Sequence, residues 1–322
     1  MGRWWGGAAA AARLVSNRAE LWIPGALAAL GFVGWLPLAL AIVPLPDASD
    51  LEFFGENLYS SGAWPWNALL LSVAALFGIL TVCLVVAIGE AALQRGLRPL
   101  LDELPAGGAR HGPEETLTGE AAITFIVFLA ALLPAAVAVM VLAIGTAAVA
   151  PGEYQSPDIG GPVLLRIARE VAPLLALVIV CVLLGQAFGA SAQRRAVGPH
   201  PEPLARALAN AARDLRRRPL ALVGIAFVSL VALAALTVLA TLLLRILWAP
   251  IGEALRAGDL GSPPTALLLV GFVAIWLCLL LAGGALHAWA SAWWSLEHRR
   301  RAVQPEPPTQ PVATDPGAHA ST

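Results

Sequence analysis

The chain has 322 residues, 58% hydrophobic and 13% charged, with a mean hydropathy of +0.76. Soluble domains carry roughly 25% charged residues, so this composition excludes an ordinary water-soluble enzyme and leaves an integral membrane protein. The formal net charge of −1 says little about partners, because all 20 basic residues are arginines and their placement is one-sided.

A crossing of the hydrocarbon core needs about 20 apolar residues per helix. Residues 1–20 are too polar for that and read as an interfacial lead-in, with Ala11-Ala12-Arg13 and Arg18 ahead of the first apolar run at 21–43. Ala39-Leu40-Ala41 offers a small-x-small cleavage pattern. The run is nevertheless longer than a usual signal core, and a retained helix is expected. A second run comes at 67–91, after a loop, Pro44–Trp66, that is acidic (Asp47, Asp50, Glu52, Glu56) and aromatic, as expected of a headgroup-level lid.

Loop 101–118 is glycine- and proline-rich, and the third and fourth runs lie at 121–150 and 171–190. Arg166 and Glu170, four residues apart before the fourth run, are expected to form a surface pair. Residues 203–216 read as an amphipathic helix, with Leu204, Leu208, Ala211 and Leu215 on one face and Arg206, Arg213, Arg216 and the following Arg217 elsewhere. Such a helix would lie in the membrane interface, apolar face down, with its arginines near anionic headgroups. The last runs are 220–248 and 265–294; residues 299–322 are proline-rich and read as a disordered cytoplasmic tail.

The expected fold is therefore all-α, with six transmembrane helices in a domain at 21–298, paired as hairpins 21–91, 121–190 and 220–294. With the N-terminus inside, the inner segments hold 16 arginines (3, 13, 18, 95, 98, 110, 194, 195, 206, 213, 216–218 and 299–301). The outer segments hold four (166, 169, 245 and 256). This asymmetry predicts both termini on the cytoplasmic side of a bacterial inner membrane.

The cysteines lead to the expectation of an internal repeat. Cys83, Cys181 and Cys278 are 98 and 97 residues apart, and each begins the pattern Cys, three bulky aliphatics, small residue. Ala11-Ala12-Arg13 with Arg18 recurs as Ala211-Ala212-Arg213 with Arg218, whereas the middle unit lacks it. Small residues four apart favour close helix approach. The stripes Cys83, Ala87, Ala91; Cys181, Gly185, Gly189; and Cys278, Ala282 are accordingly candidate packing seams, within the molecule or between copies. The cysteines lack disulfide or metal spacing and read as small packing residues.

Ionisable residues inside a membrane span are functional candidates. Here Glu90, Gln186, Ser191 and His287 fall near the inner ends of the even helices and form a candidate polar cluster. Gly189-Ala190-Ser191-Ala192 with His287 resembles the rhomboid intramembrane proteases, but Ala192 replaces their second glycine and no oxyanion hole is in view. No metal or haem ligand set is present, and no cofactor is expected. The Ala-Ala-Arg lead-ins, Ala11–Arg18 and Ala211–Arg218, with the hairpins behind them, resemble the membrane domain attached to some bacterial glycerophosphodiester phosphodiesterases. The hydrolase domain has no counterpart here, so that resemblance implies an architecture and no catalytic residue.

The expected function is a non-enzymatic scaffold or accessory membrane subunit; the alternative is a permease or lipid-handling transporter, for which Pro37 and Pro134 could open spans around a cavity. The expected partners are the lipid bilayer and either another membrane protein or a second copy, with no nucleic acid.

Overall fold

A computed structural model describes residues 2–43, 66–102, 116–155, 163–198, 201–258 and 262–302. The Pro44–Pro65 part of the acidic loop, residues 103–115 and the tail beyond residue 302 lie outside the described residues.

Among the described residues the chain is helical, without strands, and six helical segments are long and apolar enough to cross a membrane. Helix α1 (Gly2–Ser16) leads through a short 3-10 turn into span 1, Ala19–Ile42, which comprises α2 (Trp22–Ala29), a π-helical stretch at Leu30–Trp35, and α3 (Leu36–Ile42). Span 2 is α4 (Trp66–Asp102) and span 3 is α5 (Leu117–Gln155). A short α6 (Val163–Glu170) precedes span 4, α7 (Ala172–Ala196). Helix α8 (Leu204–Arg217) leads into span 5, α9 (Pro219–Arg256), and span 6 is α10 (Pro263–Ala302). Several spans outrun the bilayer core: α10 continues helically through residues 299–302, which the sequence assigned to the tail.

Span 1 is broken where its sequence demands it. Pro37 has no N–H to offer the carbonyl of Val33, and its ring would press on that carbonyl in a regular helix. The preceding stretch widens to π geometry, the usual way an extra residue is absorbed. The indole of Trp276 donates to the Gly34 carbonyl at 3.1 Å and supports the widened turn. Pro134, expected to act similarly, sits in α5 without interrupting the helix.

The contacts form a ring. Span 1 packs between spans 2 and 6, span 3 between spans 2 and 4, and span 5 between spans 4 and 6, with span 5 also packing across the ring on α3 of span 1 more extensively than on span 4. Glycines make the closest approaches. Gly25 lies against the backbone of Gly284, Gly89 against Leu27 and Ala28, and Gly185 against the carbonyl of Ala131. Helix α1 packs on the last part of α10, where the indole of Trp289 donates to the Ala8 carbonyl at 3.0 Å. Helix α1 and the last turns of α10 therefore share one end of the bundle, the terminal end; the opposite end is the loop end.

The two ends are packed differently. At the terminal end α1 and spans 1, 2, 4, 5 and 6 contribute to one core around Leu93, Leu97, Leu222, Ile225, Ala292 and Trp293. At the loop end spans 1, 5 and 6 form a smaller core around Leu244, Ile251 and Phe272. Span 2 takes no part in it. Leu69, Leu70, Leu71, Val73, Leu76, Phe77 and Ile79 are all exposed, Phe77 by 72%. At about 100° per residue these positions cover the whole circumference of the helix. The loop-end half of span 2 stands clear of the bundle.

The apolar faces of helices α1 and α8 are turned to protein, whereas the sequence suggested lipid for the face of α8. Ala8, Ala11 and Val15 of α1, and Ala207 and Ala211 of α8, are buried against protein. Leu204 and Leu208 pack with Ile123, Val127, Phe188 and Ala192. Each helix turns into its span at an arginine in nearly the same backbone conformation: φ −136°, ψ 76° at Arg18 and φ −139°, ψ 56° at Arg218.

Candidate functional site: a charge clasp between the even spans

The terminal ends of spans 2, 4 and 6 meet through polar side chains. Glu90 and Gln94, four residues apart on α4, share one face, as do His287 and Ser291 on α10. Arg194, on the last turn of α7, completes the set. Glu90 is the hub. Its Oε2 lies 2.7 Å from His287 Nε2, while Oε1 accepts from Ser291 Oγ at 2.8 Å and Gln94 Nε2 at 3.3 Å. Arg194 Nη2 is 3.5 Å from Oε1 and donates to both Ser291 Oγ (2.9 Å) and the Ser291 carbonyl (3.1 Å). Arg194 Nη1 donates to the Ala190 carbonyl at 2.9 Å, which fixes the guanidinium against its own helix. Ser291 thus accepts from the arginine and donates to the carboxylate, linking the two charges.

Glu90, Gln94, Arg194 and Ser291 are buried, and His287 is partly exposed. Counted from Leu69 at 1.5 Å per residue, Glu90 lies about 32 Å along the helix, near one edge of a hydrocarbon core about 30 Å thick. Each ion at that depth has lost much of its hydration. The carboxylate's four partners are what make its burial tolerable.

A second buried acid closes the other side of the same end. Glu120, in the first turn of α5, is 2% exposed and is held by Arg95 Nε at 2.8 Å and Arg98 Nη2 at 2.9 Å. Arg98 also donates to the Val197 carbonyl at the end of span 4, and Gln193 Nε2 donates to Thr124 Oγ1 at 3.4 Å. Spans 2, 3 and 4 are clamped this way, as spans 2, 4 and 6 are by Glu90. Replacing Glu120 with alanine leaves two arginines without their shared acceptor, at a cost of about 1–3 kcal/mol. The arginines are partly exposed, which keeps the cost below that of a fully buried pair. Thermal unfolding in detergent should fall by several degrees; an unchanged midpoint would show that the clamp carries no stability.

Of the candidate cluster residues, Glu90 and His287 are brought together. Gln186 is exposed on span 4, and Ser191 is buried there outside the clasp. No hydrogen bond joins Ser191 to His287, whose ring nitrogen is engaged by Glu90. Among the described residues no three His, Cys, Asp or Glu side chains gather as a metal site. Arg166 turns away from Glu170 and pairs with Glu153 of α5, at 3.1 Å.

The packing stripes divide similarly. Cys83, Ala87 and Ala91 are buried on span 2. On span 4 Gly185 and Gly189 face Ala131, while Cys181 is partly exposed. On span 6, Cys278 and Ala282 are exposed, and the close approach is made by Gly283 and Gly284. The close approach falls just beyond Ala282, where Gly283 meets the side chain of Val33 and Gly284 admits the backbone of span 1 at Trp22 and Ala26.

Sequence reasoning missed Gln94, Arg194, Ser291 and Glu120. The cysteine spacing held a signal for two of them: Arg194 and Ser291 each lie 13 residues beyond their cysteine. No protein-family model matches the chain, and no match was found among curated proteins or among solved structures.

Proposed function

We propose that this chain is a non-enzymatic scaffold or accessory subunit of a membrane assembly. It would sit in a bacterial cytoplasmic membrane with both termini inside, the side on which the arginine asymmetry places the terminal end. On this reading the three helix pairs are a repeated unit, supported by the ring of contacts and by the matching turns at Arg18 and Arg218. The observation that carries the functional reading is the loop-end half of span 2, apolar and exposed on every face. The buried acids at the terminal end are meanwhile engaged within the bundle, Glu90 by Arg194 and by its hydrogen bond with His287, and Glu120 by Arg95 and Arg98. A bundle closed at one end, with one helix standing clear at the other, suits the docking of a partner's transmembrane helix, where van der Waals packing supplies the affinity.

A photo-crosslinking amino acid at Phe77, with Val238 on span 5 as control, tests this in native membrane. A discrete polypeptide adduct at Phe77 and none at Val238 is expected. Lipid adducts alone at both positions would refute the reading.

A permease or lipid-handling transporter is the second reading. It is favoured by the Glu90–His287 pair, an ionisable couple within the spans joining two helices that would have to separate. Under it, Glu90→Gln would preserve the fold and abolish transport.

A further inference from the structure

The turn from α8 into span 5 differs from its counterpart at span 1 in one respect, its free charge. The acids near α8 are consumed within the protein. Arg195, next to the clasp arginine, holds Asp214 at 2.8 Å and Glu202 at 2.7 Å, and Asn210 donates to Glu202 at 2.7 Å. Arg206, Arg216, Arg217 and Arg218 are exposed and make no ion pair or side-chain hydrogen bond among the described residues. At the first turn, by contrast, Arg18 lies 3.3 Å from Glu20.

The start of span 5 sets the level of these arginines. Leu220 is 90% exposed, and Phe227 and Val231 continue the exposed apolar face down the span. Arg218 and Leu220 are two residues apart, about 3 Å along a helix axis. The arginines therefore stand at the boundary where hydrocarbon gives way to phosphate. The apolar face of α8 is already committed to spans 3 and 4, so hydrophobic insertion of this helix is not what would engage the bilayer there. What it offers is guanidinium groups, whose planar forks suit phosphate oxygens.

We propose that the α8–span 5 turn is a binding site for anionic phospholipid headgroups, formed by Arg216, Arg217 and Arg218, and that the turn at Arg18 is not. Because α8 is tied through Arg195 to the end of span 4, a lipid held there would brace the helix that carries the clasp arginine.

The test uses the full chain in detergent, titrated with phosphatidylglycerol or phosphatidylcholine. Bound lipid is counted by native mass spectrometry, and stability is followed by tryptophan fluorescence. The wild type should retain phosphatidylglycerol in preference to phosphatidylcholine, with the preference falling as salt is raised. Arg216→Gln/Arg217→Gln/Arg218→Gln should lower that preference by roughly tenfold or more, since each basic residue near an anionic surface contributes measurably. Arg13→Gln/Arg18→Gln should leave it unchanged, and the corresponding triple lysine variant should keep most of it. Undiminished preference in the triple glutamine variant, or equal loss in the Arg13/Arg18 variant, would overturn the assignment. So would equal stabilisation by inorganic phosphate, which would indicate a small-anion site.

Discussion

Glu90→Leu is expected to destabilise the protein by about 3–5 kcal/mol, the usual result of removing one partner from a buried ion pair. The loss comes less from the missing attraction than from what remains. Arg194 is buried and would keep its charge with only Ser291 and the Ala190 carbonyl as acceptors. Ser291 and Gln94 would lose their acceptor, and spans 2 and 6 their only side-chain hydrogen bonds to each other in the clasp. The double variant Glu90→Leu/Arg194→Met removes both charges together and should recover most of the stability, because the large penalty is the unpaired ion. Thermal unfolding in detergent, read as a double-mutant cycle, measures the coupling. If the double variant is as unstable as the sum of the singles, the clasp is not a charge pair in any energetic sense. Glu90→Gln should lie between: one oxygen still accepts from Ser291, and the amide can donate to His287 only if the ring proton sits on Nδ1.

The six crossings were legible because membrane insertion is a matter of composition over long windows, and 58% hydrophobic residues leave little ambiguity. The polar cluster was half legible. Glu90 and His287 interrupt apolar runs and announce themselves, but Arg194 belongs to an Arg194-Arg195 pair at a span's end. There the ordinary expectation is a headgroup contact. Charge counting cannot tell which of two adjacent arginines turns inward. The helix does so by geometry: successive residues differ by about 100°, so Arg194 reaches Glu90 while Arg195 reaches Asp214 and Glu202. The same rotation explains Gln186, one residue beyond the buried Gly185 and hence off the packed face. Amphipathicity reveals that α8 has an apolar face, but not whether lipid or protein covers it. That depends on Ile123, Val127 and Phe188, which lie in other segments.

The matching contexts of the three cysteines do not carry over into matching contacts. Cys83 is buried, Cys181 partly so and Cys278 exposed, although their sequence contexts match. The spans are met differently near that level: span 1 reaches span 2 at Val82 through Gly31, span 4 meets Ala131 of span 3 through Gly185 and Gly189, and span 1 reaches span 6 only farther along, at Gly283 and Gly284. Matching sequence around the cysteines need not give equivalent contacts, because span 1 is interrupted by its π-helical stretch while spans 3 and 5 are continuous α-helix.

The contact between spans 1 and 6 should be the least tolerant seam in the molecule, and Gly284→Val is expected to abolish the folded monomer. A side chain at Gly284 would meet the carbonyl of Trp22 and stand 2.6 Å from the Ala26 nitrogen; one at Gly25 would meet the Gly284 carbonyl. Every obstacle is backbone, so no rotamer change relieves it and the helices must separate. Even Gly284→Ala should therefore cost about 1–3 kcal/mol, as overpacking of a tight core does, despite alanine's better helix propensity. Gly271 on the same helix has open space around it, and Gly271→Ala should be neutral or mildly stabilising. The effect should also reach the clasp, because His287 is one turn from Gly284 and α1 packs on the helix beyond it. Size-exclusion profiles and unfolding midpoints of the two alanine variants decide the matter. A Gly284→Ala protein that elutes and melts like Gly271→Ala would mean that spans 1 and 6 have slack at their crossing, and that the ring is held by its polar end rather than by its glycines.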